Sequence, residues 1–166
     1  MSRIIILFAL TLTLLFSQDI EDFPFIGVTV GVHAIDIDPS ADISSRDETT
    51  VSIRFGKQNL DWRTMFTMSG NKNLQSFTLE IDKILVDQLF GMPEFRPYLG
   101  ASVGYLHYDD NDLLDNEGFF YGGNFGFLIY VTDDIDADIS YHYHKIQDME
   151  PLDSMQGGTL GIHYFY

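Results

Sequence analysis

Polar residue types that can do chemistry recur at every second position of DIDADISYHYHKI, residues 134–146. Ser140 lies two residues before His142, and a serine hydroxyl becomes a nucleophile when a neighbouring base takes its proton. His142 and His144 are also two residues apart, and paired imidazoles can bind zinc, copper or nickel. The segment therefore raises two hypotheses, a hydrolytic site and a metal site.

A second segment, DDNDLLDNEG at residues 109–118, is crowded with carboxylates. Carboxylate oxygens are ligands that calcium prefers. The spacing lacks the central glycine and the twelfth-position glutamate of an EF-hand loop. The alternative interpretation is a solvated, self-repelling surface. The candidate ligands for a divalent cation are Asp109, Asp110, Asp112 and Asp115.

Both segments belong to a sequence that alternates with a period of two over most of its length. In each of eight blocks, apolar residues take one parity and small or polar residues take the other, which is typical of β-strands. Long, mostly acidic connectors alternate with mostly short ones. This layout predicts an all-β fold, an eight-stranded antiparallel up-and-down barrel. The blocks are residues 25–36, 51–56, 60–69, 76–82, 98–108, 122–131, 134–146 and 157–166.

The bulk composition limits the classes of partner. The 166 residues suit one domain, and they include no cysteine. The 25 acidic residues outnumber the 9 basic ones. Nucleic acid is therefore not expected as a partner, because it would meet like charge over most of the surface. No cofactor is expected either.

The N-terminal segment has the features of a secretory signal peptide. Arg3 precedes an uncharged apolar run from Ile4 to Phe16, and the small residue Ser17 follows it. The run is shorter than the about 20 residues of a membrane-spanning helix. The predicted organisation is a signal peptide at residues 1–18, a short lead at 19–22 and a barrel at 23–166.

Glycine placement indicates which face of the barrel points inward. On a solvated outer face, glycines would weaken the strands, whereas inside a narrow barrel they leave room for larger neighbours. The apolar face is therefore predicted to meet lipid, with outward Trp62, Tyr105, Tyr143 and Tyr166 at the headgroup level. The alternative is a secreted, lipocalin-like lipid-binding barrel, which would bury the apolar face. The glycines on the polar parity are Gly27, Gly31, Gly56, Gly100, Gly104, Gly122, Gly126 and Gly161.

Three segments resemble strands of known barrels. The stretches RPYLGASVGY (96–105) and GGNFGFLIYVTDDIDADISYHYHKI (122–146) resemble strands of the OmpA/OmpX-type eight-stranded family. The last strand resembles the C-terminal targeting strand of bacterial outer-membrane barrels, through Leu160, Ile162, Tyr164 and Tyr166.

The resemblance covers roughly residues 23–166 and carries implications for location and partners. It implies a transmembrane β-barrel in a Gram-negative outer membrane, with periplasmic termini and extracellular acidic loops. Outer-membrane lipids and lipopolysaccharide would then be its neighbours. A barrel-assembly machinery would read the C-terminal strand.

The inward parity predicts a polar cluster in the barrel interior. Such a cluster could gate a narrow conduit, or its members could satisfy one another as a polar core. Side chains nearly fill an eight-stranded interior, which favours the polar core. The predicted cluster is Arg54, Arg63, Glu80, Asp82, Asp136, Asp138 and His142, and Asp61 is placed on the same face.

Four histidines share the inward parity, namely His33, His142, His144 and His163. Their strands become neighbours when the barrel closes, but the predicted heights of His142 and His163 differ. Hydrogen bonding inside the barrel is therefore expected in preference to a metal site.

Enzymatic activity is not expected. The lipid A deacylase family carries a His-x-Ser-Asn motif, and HYHKI at residues 142–146 lacks its serine and asparagine. Ser140 and His142 also face inward, away from lipid. The expected function is a non-enzymatic outer-membrane barrel that stabilises the envelope or binds a surface ligand through its acidic loops. A narrow pore, the lipocalin-like barrel and a lipid A-modifying enzyme are the alternatives.

Overall fold

The computed structural model describes residues 22–37, 45–85, 94–109, 117–149 and 152–166. The predicted signal peptide and the candidate ligands Asp110, Asp112 and Asp115 lie outside these ranges. No helix long and apolar enough to cross a membrane occurs in the described ranges. The strands are β1 (Phe23–Ile37), β2 (Ser45–Gln58), β3 (Trp62–Gly70), β4 (Leu74–Ile84), β5 (Phe95–Tyr108), β6 (Glu117–Tyr130), β7 (Ile135–Gln147) and β8 (Leu152–Phe165).

The eight strands form a closed antiparallel barrel in sequence order. Each strand pairs with the next one, and β8 pairs with β1 from Phe25↔Phe165 to Asp36↔Ser154 before the register shifts at Ile37. Closure matters because an unpaired backbone group in lipid costs several kcal/mol. The predicted fold class is confirmed.

The barrel has two distinct ends. The terminal end carries Phe23 and Phe165, together with the β2–β3, β4–β5 and β6–β7 connections. The loop end carries the β1–β2, β3–β4, β5–β6 and β7–β8 connections. The names terminal end and loop end are kept below.

Two asparagines build turns of the same kind at opposite ends. At the terminal end, the Asn59 side-chain oxygen accepts hydrogen bonds from the N–H groups of Asp61 and Trp62, at 3.0 and 2.8 Å. At the loop end, the Asn71 oxygen accepts from Asn73 and Leu74, at 2.8 and 2.7 Å. Asparagine suits such turns because its side chain replaces a backbone acceptor.

Several strand boundaries differ from the predicted blocks. The second strand begins at Ser45 rather than at Val51, and the last begins at Leu152 rather than at Gly157. These extensions contain polar residues on both faces. The alternation of apolar and polar residues is therefore lost where the strands extend beyond the apolar outer surface of the barrel. Leu60, predicted in a strand, lies in the β2–β3 turn.

The outer face is apolar along all eight strands, as the parity predicted. Its exposed side chains include Val28, Ile53, Phe66, Leu99, Phe125, Ile139 and Ile162. The four predicted aromatic residues lie near the two rims of this face: Trp62 and Tyr166 at the terminal end, and Tyr105 and Tyr143 towards the loop end. A barrel with an apolar outer face and a polar interior is adapted to lipid rather than to water.

Candidate functional site

The candidate functional site is the barrel interior, which is built in three layers. The terminal end holds a small apolar layer in which Ile84, Tyr98 and Leu128 pack together. The middle layer holds the buried charged residues and histidines. The loop end holds a larger apolar cluster, called the loop-end cluster below: Ile35, Leu74, Leu106, Tyr108, Phe120, Ile146, Met149, Leu152 and Met155.

Arg63 is the centre of the middle layer, and its side chain is 0% exposed. Its Nε donates to Asp82 Oδ2 at 2.8 Å, and its Nη1 donates to Asp138 Oδ2 at 2.7 Å. The guanidinium also lies 4.5 Å from the ring centroid of Tyr98. The Tyr98 hydroxyl donates to the other oxygen of Asp138 at 2.9 Å. Arg63 on β3 therefore ties β4, β5 and β7 together through charged and aromatic contacts.

The second buried arginine, Arg54, contacts the same carboxylate. Its Nη1 lies 3.4 Å from Asp138 Oδ2, and its Nη2 donates to Thr159 at 3.3 Å. The carboxylate of Asp138 is thus shared by two guanidinium groups. A buried charge is tolerated only when it is paired and hydrogen-bonded, and this arrangement meets that requirement for Asp138.

Asn124 bridges two further carboxylates in the middle layer. Its Nδ2 donates to Glu80 Oε1 at 2.8 Å and to Asp82 Oδ1 at 2.9 Å. The predicted cluster does not include Asn124, although the sequence places this residue on the inward parity of its strand. The reason is that a neutral amide in one strand gives no sign of the two carboxylates that face it from another strand.

The four inward histidines divide into one group of three and one separate residue. His33 Nδ1 lies 2.9 Å from His142 Nε2, and His33 Nε2 lies 2.7 Å from Thr50 Oγ1. The rings of His142 and His144 stack with centroids 4.9 Å apart. His163 lies elsewhere, with its Nδ1 2.7 Å from Asp136 Oδ1.

These contacts differ from those that the two chemical hypotheses for the histidines need. No group of three His, Cys, Asp or Glu side chains in the described ranges is arranged to hold a metal ion. Ser140 pairs with Thr159 at 2.6 Å instead of with His142. The serine that does contact a histidine is Ser102, 2.7 Å from His144 Nε2. Both are buried, and His144 Nδ1 contacts no orienting carboxylate within the described ranges.

Asp61 is the one charged residue whose predicted inward position is wrong. It lies in the β2–β3 turn, where its carboxylate pairs with Lys83 Nζ at 3.4 Å on the outside of the barrel. The period of two fails there because β3 begins only at Trp62. The seven residues of the predicted interior cluster all have buried side chains: Arg54, Arg63, Glu80, Asp82, Asp136, Asp138 and His142.

Glycine makes this dense interior possible. A Cβ added at Gly104 would lie 2.2 Å from Phe120 Cζ, and one added at Gly126 would lie 2.7 Å from the Tyr98 hydroxyl. Both distances are too short for any side chain. The glycines on the polar parity therefore leave space for large side chains, as predicted.

The remaining predicted residues lie along the outer face of the C-terminal strand and at the loop-end rim. Leu160, Ile162, Tyr164 and Tyr166 all point outward from β8 and the end of the chain. The N–H of Tyr166 donates to Pro24 O at 3.1 Å. At the opposite rim, exposed Asp109 follows β5, and its N–H donates to Asn73 O at 2.8 Å.

No protein-family model and no curated protein matches the sequence. Among solved structures, the chain is similar to Neisserial surface protein A, with 14% identity and a TM-score of 0.64 over 86% of this chain and 97% of that one. It is similar to outer membrane protein H of P. aeruginosa, with 21% identity and a TM-score of 0.62 over 87% and 99% of the two chains. The N-terminal β-barrel domain of Pseudomonas aeruginosa OprF has 12% identity and a TM-score of 0.57, over 84% and 97%.

Proposed function

Because the chain has the eight-stranded transmembrane fold of outer-membrane barrels, we propose that it is a non-enzymatic structural protein of a bacterial outer membrane with a closed interior. The observation that supports this proposal best is the layering of the interior. A polar middle layer held by Arg63 is covered at the loop end by nine buried apolar residues.

The closed interior distinguishes this proposal from a narrow conduit. A conduit needs a continuous polar path, since an ion that enters an apolar region loses its hydration. In the loop-end cluster, Ile35, Leu74 and Leu106 are 0 to 1% exposed. The inward charges of the middle layer are also bound to one another, which favours a polar core over a gate.

The interior offers no support for an enzyme. Ser102 and His144, the serine and histidine in contact, are both enclosed by the barrel wall. A nucleophile must reach its substrate as well as its base. A lipid substrate would have to pass between hydrogen-bonded strands to reach this pair.

We further propose that the terminal end faces the periplasm and that the loop end faces the outside. The acidic connector at residues 109–118 would then lie at the cell surface, where its carboxylates could bind divalent cations or a surface ligand. The barrel-assembly machinery would meet the C-terminal strand on the periplasmic side. Outer-membrane lipids would cover the apolar belt, and lipopolysaccharide would surround the loop end.

Planar-bilayer recording tests the closed interior. We expect no reproducible single-channel steps from the reconstituted protein, because the loop-end cluster and the paired charges block ions. Insertion into the bilayer lipid is verified in parallel by blue-shifted fluorescence of Trp62, the single tryptophan. Reproducible conductance from inserted protein would contradict the proposal.

Cysteine labelling in intact cells tests the orientation. The chain contains no cysteine, so a single introduced thiol is the only reactive one. We expect Lys72→Cys, in the β3–β4 turn, to react with a membrane-impermeant maleimide on intact cells. Asp133→Cys, in the β6–β7 turn, is the matched control and should react only after lysis. The opposite pattern would reverse the proposed orientation.

A further inference from the structure

The charges on the outward face of the barrel differ between its two ends. Among the described strand residues, the charged side chains with outward parity at the terminal end are Lys57 and Lys83. At the loop end, Lys145 shares the outward parity with three acidic residues, Asp36, Asp47 and Glu117. The outward strand charges at the terminal end are therefore cationic, whereas the turns and the residue before β1 at that end carry acidic side chains: Asp22, Asp61, Glu94, Asp133 and Asp134.

The two lysines flank the single tryptophan. Trp62 lies opposite Lys83 in the β3–β4 register, and Lys57 lies opposite Thr64, two residues further along β3. Lys83 Nζ is 4.9 Å from the Trp62 ring centroid. The two lysines are thus separated by two strand spacings across the sheet and by two residues along it, about 12 Å in all. Flexible lysine side chains from both sides can converge on one headgroup across that distance.

The position of Trp62 is fixed by the adjoining structure. Its N–H is bonded to the Asn59 side chain, and its carbonyl accepts the Asn59 N–H at 2.8 Å. The next residue, Arg63, is anchored inside the barrel by Asp82 and Asp138. Trp62 is 48% exposed on the outer face. The ring is therefore presented to the surrounding lipid from a rigid support.

We propose that Lys57, Trp62 and Lys83 form a binding site for the phosphate headgroup of an anionic phospholipid. This inference rests on the proposed function, which places the terminal end in the inner leaflet. The two ammonium groups attract and donate to phosphate oxygens. Trp62 packs against the glycerol and upper acyl region, because indole favours the membrane interface.

Asp61 sets the strength of this site. Its carboxylate lies 3.4 Å from Lys83 Nζ and competes with a phosphate for that ammonium group. Neutralising Asp61 should therefore strengthen phospholipid binding, whereas neutralising either lysine should weaken it. If the contact between Asp61 and Lys83 were only structural, neutralising either residue would have the same effect. Opposite effects on phospholipid binding therefore indicate that Asp61 competes with the phosphate.

Quenching of Trp62 by brominated lipids tests the proposal. The full mature chain is reconstituted in vesicles of phosphatidylcholine and phosphatidylglycerol, with one lipid brominated at a time. At low salt we expect a relative binding constant for phosphatidylglycerol about fivefold above that for phosphatidylcholine. The ratio of the two binding constants should fall towards 1 in the variants Lys57→Gln and Lys83→Gln. It should rise in the variant Asp61→Asn.

Control variants and a second lipid separate the possible outcomes. Lys145→Gln removes a lysine from the other rim and should leave the preference unchanged, and Lys57→Arg should retain it. Equal quenching by both phospholipids would overturn the proposed site while leaving the membrane barrel intact. A preference shown only for lipopolysaccharide would also overturn it. No quenching by either brominated phospholipid would contradict the proposed function itself, since Trp62 would then not face lipid.

Discussion

Replacing Arg63 by methionine is expected to lower the free energy of unfolding by about 3–5 kcal/mol. The substitution retains much of the side-chain volume but leaves Asp82 and Asp138 without their shortest charged contacts, at 2.8 and 2.7 Å. Urea unfolding in lipid vesicles, followed by far-ultraviolet circular dichroism and by gel mobility, measures the change.

Two further variants show whether the effect comes from uncompensated charge. In the double variant Arg63→Met with Asp82→Asn, part of the lost stability should return, because Asp82 no longer carries an unpaired charge and Asp138 still contacts Arg54. Lys72→Gln in the exposed β3–β4 turn should alter stability by less than about 0.5 kcal/mol. If Arg63→Met costs no more than Lys72→Gln, then the ion-pair network does not stabilise the barrel.

Replacing Tyr166 by aspartate is expected to reduce outer-membrane insertion several-fold and to leave precursor in the periplasm. Tyr166 is 74% exposed at the terminal rim, so its ring is accessible to another protein. The intrinsic cost to stability should be small, because a charge near the interface costs a transmembrane strand only about 0–1 kcal/mol. Cell fractionation with and without heating of the samples measures insertion.

The matched control is Trp62→Asp, which places the same charge at the same rim on a strand that is not C-terminal. We expect it to insert much better than Tyr166→Asp. Both variants should refold with similar efficiency in detergent, where no assembly machinery is present. Similar insertion of both variants in cells would show that the C-terminal strand carries no special signal.

The fold could be predicted from the sequence because the period of two is a local property. Neighbours two residues apart, such as Val28 and Val30, reveal the face of a strand without any knowledge of the rest of the chain. The strand ends were harder to predict, because Arg46, Asp47 and Glu48 are polar on both faces of β2. Alternation of apolar and polar residues cannot identify a strand whose two faces are both exposed to solvent.

The contacts inside the barrel could be predicted only in part. Inward parity identified Arg63 and Asp138, but 75 residues separate them, and their contact depends on the stagger of the whole barrel. The loop-end cluster was missed for another reason. Leu106 and Ile146 interrupt the polar parity, while Leu152 and Met155 come from a segment that the sequence predicted as a loop.

Because β8 pairs with β1, the eight strands form a closed ring in which no strand is an edge strand. The N–H of Tyr166 already donates to Pro24 O at 3.1 Å, so a short peptide could join the two ends. The chain could then be opened at the β3–β4 turn without removing any of the eight strand pairings. Such a circular permutant would retain the sheet while β8 became an internal strand. The stability of this barrel is therefore expected to depend on which strands pair and not on their order along the polypeptide.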